Sequence, residues 1–313
     1  MIDPQEPLCR ALIAELTTPT DPRVTRFVEG MVGAHRPLGV LFYGSGLREF
    51  DPSGILDFYI VLETLSDWPA SPLERMANRF LPPNVRYVEQ AIDGVTLRAK
   101  VAFIGIAQFE ALTSPRALDT TIWARFCQPV RLAWVRDSAA ADRLLGAVRQ
   151  SVLTAAGWAA FLGTGSATPI AWWRALFSAT YAAELRVEKP GRGKALMAGQ
   201  EERFAALLPL AWEAAGLKFT REGEALRPLL TSCQSARARK RWEKIARRGR
   251  WLNVARLLKG AFTFEGGASY LAWKIERHNG LKLNLSPFEA KHPLLCLPWL
   301  LWRARSVLRP PAV

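Results

Sequence analysis

"VLFYGSGLREFDPSGILDFYIVL", residues 40–62, sets two apolar runs either side of a Gly-Ser-Gly turn and carries a single carboxylate, Asp57, inside the second run. A charge in so apolar a setting costs several kcal/mol unless something pairs with it, and a metal ion is the usual partner of such an Asp. Working outward, "GVLFYG" (39–44), "ILDFYIVLE" (55–63), "NVRYVEQAI" (84–92), "VTLRAKVAFIG" (95–105) and "QPVRLAWV" (128–135) read as strands, bounded by Gly, Pro, Asn or Asp. Residues 5–34 predict two helices broken at "TTPTDPR". Helical text follows at 106–126, and a long helix is expected from about Asp137 to Phe161. The pattern is α/β (α+β), with a first domain over 1–150, a mostly helical stretch over 151–234 holding the loop "RVEKPGRGKA", and a different kind of text over 235–313.

Composition bounds the partners. The chain has 313 residues, half of them hydrophobic, enough for a substantial core. Its net charge of +14 points to a polyanion, either nucleic acid or an anionic membrane surface. Cys9, Cys127, Cys233 and Cys296 lack metal-like spacing, and the three histidines do not cluster with them. A zinc site or disulfide framework is therefore not expected, and the compartment is expected to be reducing. The N-terminus lacks the basic and apolar regions of a signal peptide and the Arg/Ser pattern of a transit peptide. No apolar run reaches the roughly 18 to 20 residues of a spanning helix; "PLLCLPWLLW" stops at ten. The expectation is a soluble or peripheral protein.

Residues 235–260 hold ten Lys/Arg and one Glu, nine of the fourteen net charges. Trp242, Ile245, Trp251, Val254 and Leu258 interleave with them, a basic amphipathic pattern suited to a membrane interface. A solvated helix face leaves the interleaved Trp and Leu unexplained, and nucleic acid is the less favoured partner.

A strand, a Gly-Ser turn and an Asp on a second strand, here with eleven residues (46–56) between Ser45 and Asp57, resembles the polymerase-β-type nucleotidyltransferase core. The turn brings backbone N–H groups and a hydroxyl against phosphates, where a Cβ would obstruct. The adjacent carboxylate holds Mg²⁺ beside the same phosphates. An ordinary β-turn next to a locally satisfied Asp is the plain alternative. The usual second carboxylate, two residues on, is Tyr59 here, which leaves Glu63, Asp67 or Glu89 to complete a metal site.

"YGSG" (43–46) and "LDFYIVLE" (56–63), with Trp68, also resemble the peripheral CDP-diacylglycerol synthases (phosphatidate cytidylyltransferases) of the mitochondrial translocator-maintenance type, whose pattern likewise has no second Asp. "LRAKVAFIGIAQFEAL" resembles that family's strand with an internal lysine, giving Lys100. "IWARFCQPVRL" gives Arg125, with Gln128 where the family has lysine. "SATYAAELR" gives Tyr181, Glu184 and Arg186, and "LLKGAFTFEGGASYLAWK" gives Lys259, Gly260, Phe262, Thr263, Tyr270 and Lys274.

The resemblance implies transfer of the cytidylyl group of CTP to phosphatidate with Mg²⁺, on the cytoplasmic face of a membrane; the missing transit peptide favours a bacterial inner membrane over a mitochondrial one. It implies a nucleotidyltransferase core, a helical, winged-helix-like middle domain and a basic tail. It casts Tyr43, Gly44, Ser45 and Gly46 as the nucleotide cradle, Asp57 as metal ligand with Glu63 as a weaker second, and Lys100 and Arg125 as catalytic cations. Tyr181, Arg186, Lys259 and Lys274 become contacts to substrate. Bland alternatives are a snorkelling Lys100, Arg125 paired with Asp119 or Asp137, Arg186 paired with Glu184 or Glu188, and a solvated Glu63. Other functions compatible with the text are nucleotidyl transfer to RNA or a small phosphorylated molecule, and a catalytically inactive basic membrane- or RNA-binding protein.

Overall fold

The computed structural model describes residues 6–163, 165–184 and 196–263, together with 266, 270 and 273. All five strands expected from the sequence form one mixed sheet. They are β1 (Gly39–Tyr43), β2 (Leu56–Leu62), β3 (Asn84–Ile92), β4 (Val95–Gly105) and β5 (Val130–Val135), in the order β3-β4-β2-β1-β5. β1 pairs antiparallel with β2 and β5, β3 pairs antiparallel with β4, and β2 with β4 is the parallel pair. The apolar runs are nearly continuous because the middle strands are covered on both faces.

The two faces carry different helices. Val40, Phe42, Phe58, Ile60, Val101 and Phe103 pack with Val24, Phe27 and Val28 of α2 (Pro22–Val32). Leu41, Tyr59, Val61, Ala102 and Ile104 pack with α1 (Pro7–Leu16), α4 (Ile106–Thr113), α5 (Trp123–Phe126) and α6 (Ser138–Leu162). Between them, α3 (Pro72–Phe80) connects β2 to β3, opened by Ser71 and Glu74 in a reciprocal cap. Asp137 caps α6, accepting from Ala140 N at 2.7 Å, so that helix begins where its Asp predicts.

The boundary expected at 150 falls inside α6, which is continuous over 25 residues. One face of α6 closes the sheet, while α7 (Pro169–Ala183) and α8 (Glu201–Ala214) pack on the rest of it. A single apolar cluster runs from Leu8 through the sheet to Trp212 and Ile245. The middle stretch also holds a hairpin that its helical text does not advertise, β6 (Phe219–Glu222) with β7 (Ala225–Pro228).

The basic stretch is a 32-residue helix, α9 (Ser232–Thr263), laid against α6, α7 and β3. Trp242 and Ile245, expected on an interfacial face, turn inward: Ile245 is fully buried and Trp242 meets the Trp158 ring at 5.0 Å. Gly249 lets the two helices close, since a Cβ there would sit 2.8 Å from the Ala183 carbonyl. Arg241 donates to Pro115 O at 2.5 Å, and Arg256 pairs with Asp119. Residues beyond 273, including Lys274 and "PLLCLPWLLW", lie outside the described residues, as does Arg186.

Candidate active site

The strand register assembles the site. Tyr43 on β1 pairs with Asp57 on β2, Asp57 with Lys100 on β4, and Lys100 with Tyr87 on β3. Four strands thus contribute one transverse rung, with neighbours about 5 Å apart. Side chains alternate, so Asp57 shares its face with Tyr59 and Lys100 shares its face with Ala102, the face covered by α5 and α6. The turn after β1 lies against this rung. Gly44 takes φ +90°, and a Cβ built there would approach Asp57 Oδ2 at 3.0 Å. A Cβ built on Gly46 would meet the Phe42 ring at 3.1 Å and the Leu56 side chain at 3.3 Å. Both glycines answer close approach rather than flexibility, and Ser45 opens a short 3-10 turn at the surface.

Arg125 stands behind the rung. It comes from α5, donates to Tyr59 Oη at 2.6 Å, and lies 5.3 Å from the Tyr43 ring and 5.6 Å from the Tyr59 ring. Burial works against its charge, but the oxygens of Tyr59, Tyr43, Glu184 and Asp57 more than offset this and hold the guanidinium above its ordinary value. Neither carboxylate considered as its partner is available: Asp119 binds Arg256, and Asp137 caps α6 while pairing with Arg136. Glu184 is buried and accepts from Thr120 Oγ1 at 2.5 Å.

Burial raises the Asp57 carboxyl above the usual range, with Lys100 and Arg125 pulling it back. A carboxylate held in that condition gains from any further cation that reaches it. Mg²⁺ commonly takes one or two protein carboxylates and completes its shell with phosphate oxygens and water. Asp57 beside the Gly44–Gly46 turn fits that demand, although no three His, Cys, Asp or Glu side chains converge among the described residues.

Glu63 does not share this position. It follows the last residue of β2, six residues from Asp57, or about 20 Å along an extended strand. There it binds Arg143 at 2.7 Å and Arg136 at 3.3 Å. The sequence places both acids in one strand, but strand length separates them. Because exposed pairs of this kind contribute about 1 kcal/mol or less, Glu63→Gln is expected to leave the melting point nearly unchanged, and the turnover of any substrate held at Asp57 within about twofold. A loss of turnover beyond tenfold would restore Glu63 to the site.

Lys259 is also redirected. Its ammonium donates to Leu81 O at 2.6 Å, Pro83 O at 2.5 Å and Asn84 Oδ1 at 3.1 Å, so it pins α9 to the loop before β3. Burial, with Arg256 nearby, lowers its pKa to about 8. The folded state therefore sheds this proton more readily than the unfolded chain, and stability should rise as pH climbs from about 8 toward the ordinary lysine value of 10.5. Lys259→Met should lose that rise and leave three acceptors without their donor, at a cost of about 1–3 kcal/mol. Denaturant unfolding at several pH values measures both effects.

Lys100 is half-buried and donates to Tyr270 Oη at 2.7 Å, its ammonium 4.1 Å from the centre of that ring. Tyr270 also meets the Tyr87 ring at 5.7 Å, which brings a C-terminal residue onto the rung. Tyr181 lies half-buried in the last turn of α7, three residues before Glu184. Sequence reasoning did not single out the roles of Tyr59, Tyr270 and Glu184. Only the gap where a second Asp was sought pointed at Tyr59, whose phenol instead holds Arg125.

No family model matches the chain, and no curated protein matches it. Among solved structures it is weakly similar to a nucleotidyltransferase-like protein from Exiguobacterium sibiricum, at 12% identity and a TM-score of 0.22 over 93% of this chain and 95% of that one. So low a score lies below that of a shared fold.

Proposed function

We propose that the chain is a nucleotidyltransferase built on a polymerase-β-type core. The observation that carries this is the rung itself, where the Gly44-Ser45-Gly46 turn closes on Asp57 while Lys100 and Arg125 supply positive charge beside it. The fitting chemistry is attack by an anionic oxygen on the α-phosphorus of a nucleoside triphosphate, with the bond to the bridging oxygen breaking and pyrophosphate leaving. An anionic nucleophile needs little general-base help, so catalysis is positioning plus neutralisation of charge. Mg²⁺, when bound, would supply neutralisation of phosphate charge. Asp57 would hold it, Lys100 would meet phosphate oxygens directly, and Gly44 to Gly46 would let the triphosphate approach the backbone. Tyr43 would wall the nucleotide side, and Arg125 would hold Tyr43 and Tyr59 in place while lending charge from behind.

In its finer form the proposal is a phosphatidate cytidylyltransferase: CTP as donor, a phosphatidate phosphate oxygen as nucleophile, CDP-diacylglycerol as product. The motifs in chain order support it, and so does the cationic outer face of α9. Seven of its ten Lys/Arg between 235 and 260 (Arg237, Arg239, Lys240, Lys244, Arg247, Arg248 and Arg250) are exposed. Among the described residues no helix is long and apolar enough to cross a membrane, so the proposed contact with the bilayer is peripheral. The test is pyrophosphate release with Mg²⁺, CTP and phosphatidate-containing vesicles. Release that needs both substrates supports the finer proposal. Release with CTP and another acceptor keeps only the coarser one, and none with any nucleotide and acceptor overturns both.

A further inference from the structure

We propose that the outward face of α3 is a membrane-contact element which, with the last turns of α9, seats the protein on an anionic lipid bilayer. This deepens the peripheral-membrane proposal above and assigns it to a surface. Leu73, Met76 and Phe80 are 60%, 54% and 79% exposed, and their i, i+3, i+7 spacing puts them on one face of α3. That face cannot roll inward. Asn78, on the opposite side, is buried and donates to Phe103 O at 2.9 Å, while the Glu74 carbonyl accepts from Asn84 Nδ2 at 2.8 Å.

The same arrangement recurs on α9. Trp251, Val254 and Leu258 are 73%, 40% and 62% exposed, again at i, i+3, i+7, and lie opposite the inward Ile245, Gly249 and Arg256. The two helices meet at one junction. Phe80 ends α3, Leu258 precedes Lys259, and Lys259 is bonded to the carbonyls of Leu81 and Pro83. Of nine large exposed apolar side chains among the described residues, six fall in these two stripes. Exposed apolar residues on a soluble surface are ordinarily scattered singly, so this concentration marks an interaction face.

Charge selects the occupant. Exposed Arg79 borders the α3 stripe, and Lys240, Lys244 and Arg247 precede Trp251 along the same face of α9. An apolar stripe rimmed by cations matches acyl chains beneath anionic headgroups. A second copy of this chain would bring like charge against like charge. Nucleic acid would satisfy the cations but offer little to Leu73, Met76, Val254 and Leu258.

The experiment uses the full chain and sedimentation with vesicles containing phosphatidylglycerol, without phosphatidate or nucleotide, so that its outcome does not depend on the enzymatic proposal. Leu73, Met76 and Phe80 are changed together to Ser, and Phe80→Glu is made alone to guard against misfolding of the triple variant. Each variant's melting curve is compared with wild type. The expected result is at least about tenfold weaker vesicle binding with the fold retained, as loss of three interfacial apolar side chains requires. Pyrophosphate release from a water-soluble short-chain phosphatidate should be unchanged if the chain has that activity. Wild-type affinity in both variants would overturn the inference. So would a change of oligomeric state in place of vesicle binding, or RNA binding by the wild type at the same salt with no affinity for vesicles.

Discussion

On the proposed function, Asp57→Ala is expected to reduce nucleotidyl transfer by at least about a thousandfold, because it removes the carboxylate that would hold Mg²⁺ beside the phosphates. Asp57→Asn should do the same while keeping the shape of the side chain, and it adds a second readout. Burial raises the Asp57 carboxyl, so the folded protein keeps this proton at a pH where the unfolded chain has lost it. The group's contribution to stability is therefore full below the ordinary carboxylate range and is lost as pH rises through the raised value. Once ionised, the buried carboxylate weakens the fold. The ligand-free Asn variant should consequently melt a few degrees above wild type, and only wild type should gain stability from Mg²⁺ with nucleotide. A ligand-free Asn variant that melts below wild type would mean that Asp57 serves chiefly as a structural partner for Lys100 and Arg125.

Arg125→Met carries the other large effect, and it falls on stability. The guanidinium lies partly buried between Tyr43 and Tyr59 with Glu184 and Asp57 acting on it, and Glu184 is only 5% exposed. A Met of similar length fills the space but leaves those oxygens buried without their cation. Removing one partner of a buried charged group costs roughly 3–5 kcal/mol, which should lower the urea midpoint clearly at an unchanged slope. Arg125→Lys keeps the charge but loses the flat fork that meets Tyr59 Oη at 2.6 Å, so it should recover part of the stability and little of the activity. A Met variant as stable as wild type would show that the buried oxygens are satisfied without Arg125.

The strands and helices of the first 162 residues were legible because their signals are local. β2 is an apolar run bounded by turn residues, and α6 starts at Asp137 and ends at Gly163. The Gly-Ser-Gly turn was legible for the same reason: its demands on φ and on space fall on residues next to it. Glu63 misled because sharing a strand says nothing about sharing an end of it. Lys259 misled because a lysine in basic text gives no sign of the loop carbonyls it will meet. The β6–β7 hairpin was missed because four-residue strands are too short to show a period.

By itself, then, the sequence determined the element types, the turn that closes on Asp57, the pairing of apolar runs into a covered sheet and the excess of positive charge around 235–260. Each of these follows from neighbours a few residues apart or from a sum over composition. Only the tertiary structure decided which residues act together. Tyr43, Asp57, Lys100 and Tyr87 form a rung because of strand register, and a slip of one residue would turn Asp57 to the opposite face. Lys100 meets Tyr270 across 170 residues, Arg125 meets Tyr59 across 66, and Lys259 of α9 meets the Leu81 carbonyl at the end of α3 across 178. Contacts so distant in the chain leave no periodic trace in it, since they are fixed by how whole elements pack and not by what lies beside each residue.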